Sequence, residues 1–237
     1  MNSARDRPLA QRFPRWWRLG AAGLSLAVVC GCGALTPATA PHPRTYSLTG
    51  APGAARVAPV SGVRTASTAP TLIVSPPHAA AGFDSHHIVY VRQANQFEYY
   101  AHNEWVDTPA RMLAPLIVAA IESSGAFRAV VQTPSAVAGD MRLDTEVLRL
   151  QHEFLGQPSR VRFTLRAYLV DSATRRVLAA REFDETVPAA SEDPYGGVAA
   201  ANHAVQAVLG KLSAFCAEAA RSGTFTAAAP TPAPSIP

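Results

Sequence analysis

Two alternating segments in the second half of the chain constrain the fold most. Met141, Leu143, Thr145 and Val147 alternate with Arg142, Asp144 and Glu146. Val161, Phe163, Leu165, Ala167 and Leu169 alternate with Arg162, Thr164 and Arg166. Successive strand side chains point to opposite faces, so this pattern belongs to strands with one dry face and one wet face. Such strands are typical of antiparallel sheets and need a second layer over the dry face. Asp171-Ser172-Ala173-Thr174 reads as a turn, after which residues 177–187 return as a further strand.

Two helical patterns can supply the second layer. Leu113, Leu116, Ile117, Ala120 and Ile121 recur at three- and four-residue steps. Thr108 is placed to cap this helix, Pro109 suits its first position, and Gly125 suits a left-handed stop. Val205, Val208, Leu209, Leu212, Phe215, Cys216 and Ala219 mark one face of a longer helix, and Asp193-Pro194 is its start signal. Upstream, Leu72-Ile73-Val74 is a short strand stopped by Pro76-Pro77. His87-Ile88-Val89-Tyr90-Val91 and Gln96-Phe97-Glu98-Tyr99-Tyr100 flank Ala94-Asn95 as a hairpin. Residues 127–132 form a strand leaving the first helix. The expectation is an α+β single domain over residues 71–221, an antiparallel sheet with two helices packed on one face. About 150 residues suffice for one core.

The N-terminus has a different logic. Arg5, Arg7, Arg12, Arg15 and Arg18 precede an uncharged, largely apolar run over residues 19–29. That run is shorter than the roughly 20 residues of a membrane-spanning helix. A basic start, a short apolar stretch and a small-residue cleavage site make an export signal. Val29-Cys30-Gly31-Cys32 resembles a lipobox, in which a lipidated cysteine follows a small residue. Gly31 suits that position before Cys32, whereas branched Val29 suits it poorly before Cys30. Residues 1–31 therefore read as a lipoprotein signal peptide and Cys32 as the lipidation site. Two or three acyl chains anchor firmly where one does so only marginally. Residues 32–70 hold six prolines and few large apolar groups, and read as a tether. One island in it, residues 45–48, is a candidate edge strand. Residues 222–237, rich in proline near their end, read as a disordered tail.

Removing the signal changes the charge balance. It holds five of the 21 basic residues and one of the 17 acidic ones, so 16 of each remain and the mature chain is neutral. Nucleic-acid binding needs a basic stripe, and no such partner is expected. Cys30 leaves with the signal and Cys32 takes lipid. Cys216 then has no disulfide partner and fits a buried, inert thiol.

Motifs for chemistry are sparse. His86 and His87 are adjacent and point to opposite faces of a strand, and His102 has no cysteine or carboxylate at metal-ligand spacing. No metal site or cofactor is expected. Asp184-Glu185 and Glu192-Asp193 fit solvated surface and helix capping. No glycine elbow frames a serine, and Gly196-Gly197 lacks the lysine of a phosphate loop. The expectation is a protein that is not an enzyme. The aromatic segment with Phe97, Tyr99, Tyr100 and Trp105 suits either core packing or an apolar groove or subunit interface. Strand alternation sends Tyr99 and Tyr100 to opposite faces, so one is expected in the core and the other against a partner.

Tyr46-Ser47-Leu48, Ile88-Val89-Tyr90, Tyr99-Tyr100-Ala101 with Trp105 and Pro109, and Leu113 followed by Glu122-Ser123-Ser124-Gly125-Ala126-Phe127 resemble the ABC-type transport auxiliary lipoproteins, which include the PqiC-type lipoproteins. The resemblance covers residues 46–221, while residues 51–70 and the proline tail match no feature of the family. It implies an accessory, non-catalytic role in lipid transport between the two membranes of a Gram-negative envelope. The implied companions are an ABC permease, an ATPase and an MCE-domain protein. Gly33 after Cys32, in place of aspartate, fits release to the periplasmic face of the outer membrane. Tyr99, Tyr100 and Trp105 are the candidate partner interface, with a homo-oligomer as a further arrangement. The alternative is a structural or assembly lipoprotein that binds other envelope proteins.

Overall fold

The computed structural model describes residues 42–50 and 69–222. The signal peptide, Cys32, most of the tether and nearly all of the tail lie outside the described residues. The chain order is β1 (Arg44–Tyr46), β2 (Thr71–Val74), β3 (His78–Ala79), β4 (His87–Val91), β5 (Glu98–Trp105), α1 (Pro109–Glu122), β6 (Ala129–Gln132), β7 (Met141–Glu153), β8 (Arg160–Asp171), β9 (Val177–Pro188) and α2 (Pro194–Ser222). The α+β expectation holds, with one refinement. Strands β7, β8 and β9 form the antiparallel meander, but β2, β3 and β4 all run parallel to β7, and β6 runs parallel to β2. The sheet is therefore mixed.

Strand β7 is its axis. One edge of β7 pairs with β8 from Met141 to Glu153. The other edge is shared in turn by β2, β3 and β4, which together act as one interrupted strand. Pro76 and Pro77 follow β2 and lack the amide donors that an unbroken ladder would need. The β4–β5 hairpin turns at Asn95, whose φ of 66° is in the left-handed region that asparagine tolerates.

A bulge between Val147 and Arg149 changes the parity of β7. Before it, Met141, Leu143, Thr145 and Val147 face the helices, as the alternation predicts. After it, Leu150 stands opposite core residue Phe163 and His152 opposite Val161, so even-numbered residues now point inward. A bulge adds one residue to one strand, and one residue is enough to exchange the faces.

Both helices cover the dry face. Leu113, Ile117 and Ile121 of α1 and Val205, Val208, Leu212 and Phe215 of α2 join Leu72, Leu143, Phe163 and Leu165 in one core. Ser213 Oγ of α2 donates to the Ala120 carbonyl of α1 at 2.8 Å. Thr108 stands at the start of α1, but its side chain makes no capping bond. Asp107 Oδ1 instead accepts the Thr108 amide at 2.7 Å. Gly125 takes φ +63°, as its place after α1 predicts. Cys216 is fully buried, and burial pushes its thiol pKa up to about 12. It is the free cysteine of the described residues. No helix among the described residues is long and apolar enough to cross a membrane.

The fold begins earlier than residue 71. Strand β1 is an edge strand parallel to β5, Leu48 is buried in the core, and the Thr49 amide donates to Asn202 Oδ1 of α2 at 2.6 Å.

Candidate functional site

A connected polar arrangement lies where β4, β5 and β7 meet the start of α2. The bulge in β7 delivers His152 there, 2% exposed. Its Nδ1 lies 3.1 Å from the Tyr100 hydroxyl and its Nε2 2.8 Å from Ser159 Oγ. A neutral imidazole donates through one nitrogen and accepts through the other, so Tyr100, His152 and Ser159 form a directional relay. The Ser159 amide donates to Glu192 Oε1 at 2.8 Å, which ties the relay to the loop before α2. Asp193 Oδ1 accepts the Gly196 amide at 2.7 Å and caps α2, as Asp193-Pro194 predicts.

Aromatic rings wall the relay. Tyr90 packs on Tyr100 at 4.5 Å between centroids, and Phe154 lies 4.2 Å from His152. Gly197 has a steric purpose here, since a Cβ on it would lie 2.5 Å from His152 Nδ1. Burial lowers the His152 pKa, against the opposing pull of Glu192 and Asp193. Burial likewise raises that of Tyr100. The neutral forms are thus favoured. The adjoining cavity, lined by Ile88, Trp105 and Leu150 among others, is only about 10 Å³. That is at the lower limit for a single water, and Ser159 is wholly buried, so the relay serves to join strands and helix.

The sequence matches the family described as the ABC-type transport auxiliary lipoprotein component over residues 46–212. The chain belongs to this family. No curated protein matches it. Among solved structures, this auxiliary lipoprotein is similar to protein XCC0632 from Xanthomonas campestris. The identity is 27% and the TM-score 0.61, covering 65% of this chain and 87% of that one. An uncharacterised protein is similar in fold, at 15% identity and a TM-score of 0.54, covering 75% and 97%.

In this lipoprotein the residues singled out as a partner interface separate. Tyr100 turns inward to the relay. Tyr99 turns outward, 46% exposed, with its ring 4.9 Å from that of His87. Trp105 does not fit an interface: it is 3% exposed and belongs to the core, because its place at the end of β5 puts it under α2 beside Ala201. Cys32 lies outside the described residues. Among the described residues no group of three or more His, Cys, Asp or Glu side chains is arranged to hold a metal. The sequence hides His152 because the alternation breaks at Leu148, and Ser159 because it stands in the connection before β8, outside any periodic segment. The pair Gly196-Gly197 is the usable signal, since Gly197 makes room for His152.

Proposed function

We propose that this chain is anchored through lipid on Cys32 at the periplasmic face of the outer membrane. There it is a non-catalytic accessory component of an ABC/MCE-type system that moves lipid between membranes. The observation that carries this reading is the family match over residues 46–212, which agrees with a lipobox that lies outside the matched region. A role exerted through a surface is also in keeping with a polar cluster whose His152 and Ser159 are buried in the fold. Tyr99 is the partner contact in this reading, since its ring faces outward, whereas Tyr100 is partly buried against the core and Trp105 lies within it.

Three measurements test it. Fatty-acid labelling of the full chain should mark the parent and not Cys32→Ala; label retained in the variant would overturn the anchor. Capture of the full-length lipoprotein from solubilised envelopes should bring down an MCE-domain protein and an ABC permease. Capture of assembly machinery alone would favour the structural alternative. Tyr99→Ala should weaken that capture without lowering the melting temperature, by about 2 kcal/mol if Tyr99 is a hot spot. Tyr100→Ala should lower the melting temperature.

A further inference from the structure

We infer that the end of the sheet formed by the β4–β5 turn and the β7–β8 turn lies against a lipid surface, an inference that rests on the proposed anchor at Cys32. Two of the largest exposed apolar side chains crown these turns, Phe97 at 44% and Leu155 at 58%. Between them opens a groove of about 420 Å³ whose apolar lining includes Phe83, Val91, Phe97, Leu148 and Leu155. Exposed apolar patches of this kind mark sites for partners or membranes. The Phe97 ring is held rather than loose. It packs 5.3 Å from Phe83, and Gly82 at φ +93° lets it approach to 2.9 Å of the place a Cβ would occupy. Tyr195, also exposed, stands in the first turn of α2 beside the loop that bonds Ser159, near the same end. Of the smaller exposed residues, Val106 follows the far end of β5, Val137 lies in the connection before β7, and Val177 opens β9 at the other end of the meander.

The path of the chain selects a lipid surface over other occupants. Strand β1 runs parallel to β5 with Arg44 opposite Asn103, so the N-terminal end of β1 is directed along β5 toward Phe97. Cys32 is twelve residues before Arg44, a length that spans no more than about 40 Å even when extended. A lipidated Cys32 therefore keeps the membrane within that reach of Arg44, at a strand whose N-terminal end is directed toward the aromatic end. Phe and Leu side chains are typical of apolar faces buried at a membrane interface, and Tyr favours the boundary itself. Arg149 is the charged residue in the lining of the groove, and its charge also acts on Asp184 across the sheet. With a neutral mature chain the contact is mainly apolar, and salt should change it little.

The mature chain retains one tryptophan, the buried Trp105, so an added one reports its own surroundings. Full-length lipidated Phe97→Trp, Leu155→Trp and Val177→Trp would each be placed in phosphatidylethanolamine–phosphatidylglycerol vesicles with plain or brominated acyl chains. Loss of fluorescence in the brominated vesicles is expected for Phe97→Trp and Leu155→Trp, at low and high salt alike, and not for Val177→Trp. Leu155→Trp keeps the test open if Phe97→Trp disturbs the Phe83 contact. Equal quenching of all three variants, or of none while the chain carries its fatty-acid label, overturns the inference alone. Shielding from aqueous acrylamide without quenching by bromolipid means that a protein covers this end, and also overturns it. A chain that carries no label on Cys32 overturns both the anchor and this inference.

Discussion

The two edges of β7 are built differently. On the β8 side a short turn over residues 154–159 returns the chain, and twelve residue pairs follow. On the other side, Leu72 meets Met141, His78 meets Glu146 and Val89 meets Gln151, contacts between residues more than 60 positions apart. The local edge is closed at little entropic cost and is written in the alternation of β7 and β8. The distant edge has three short strands that could not persist alone, and it depends on the helices and core that fix them. The outer faces differ as well. The meander carries a charged ladder, with Arg162 on Asp184 and Arg166 between Glu146 and Glu182. The hairpin side carries exposed aromatics.

The largest effect should come from Ile117→Asp. Ile117 is fully buried in α1, the helix that covers the distant edge. An uncompensated buried charge costs about 3–5 kcal/mol, which approaches the total of about 5–15 kcal/mol for a domain. The variant should show no cooperative melting by circular dichroism. If hydrogen exchange still protected β7, β8 and β9, the two edges would be separable units and the single shared core would be wrong.

A smaller loss is expected from Gly197→Ala. The added methyl must displace His152, and overpacking of this kind costs about 1–3 kcal/mol. Urea denaturation measures it. An unchanged midpoint would mean that the relay does not tightly join β5, β7 and α2.

Acid should act through the same residue. The His152 pKa is lowered in the fold, so its contribution is complete above the unfolded value of about 6.5 and declines as pH falls below it. Comparing the urea midpoints of the parent and His152→Gln across that range should show the steeper acid loss in the parent. Parallel profiles would assign the pH response to other groups.

The smallest effect should be on the meander's outer face. Asp184 bonds Arg162 and Thr164, and the Arg162 guanidinium holds its carboxyl below the usual range. Both partners of the ion pair are over a third exposed, so Asp184→Ala should cost only about 0.2–1 kcal/mol, less in high salt. The contribution is present above the ordinary carboxylate range and lost as pH falls through the lowered value. A loss as large as that of Gly197→Ala would show that the charged ladder matters as much as the buried relay.

How much was legible follows this division. The meander, the β4–β5 hairpin, both helices, the Asp193 start and the Gly125 stop can all be read from local spacing. The parallel pairings of β2, β3, β4 and β6 cannot, because parallel partners lie far apart in the chain and short apolar runs fit many neighbours. The candidate site was half legible. Alternation places Tyr99 and Tyr100 on opposite faces but does not say which face is dry, and it leaves Trp105 as suited to a surface as to a core.

The sequence by itself determined the class of fold, since strand and helix periodicities are properties of neighbours along the chain. It also determined the family, whose motifs run through β1, β4, β5 and α1. Only the tertiary structure decided what His152 does. A single extra residue at Leu148 reverses the faces of β7, and its effect is defined only by the register against β8. Gly197 has no meaning until α2 lies across that reversed face, because the absence of a side chain matters only where another group needs the space.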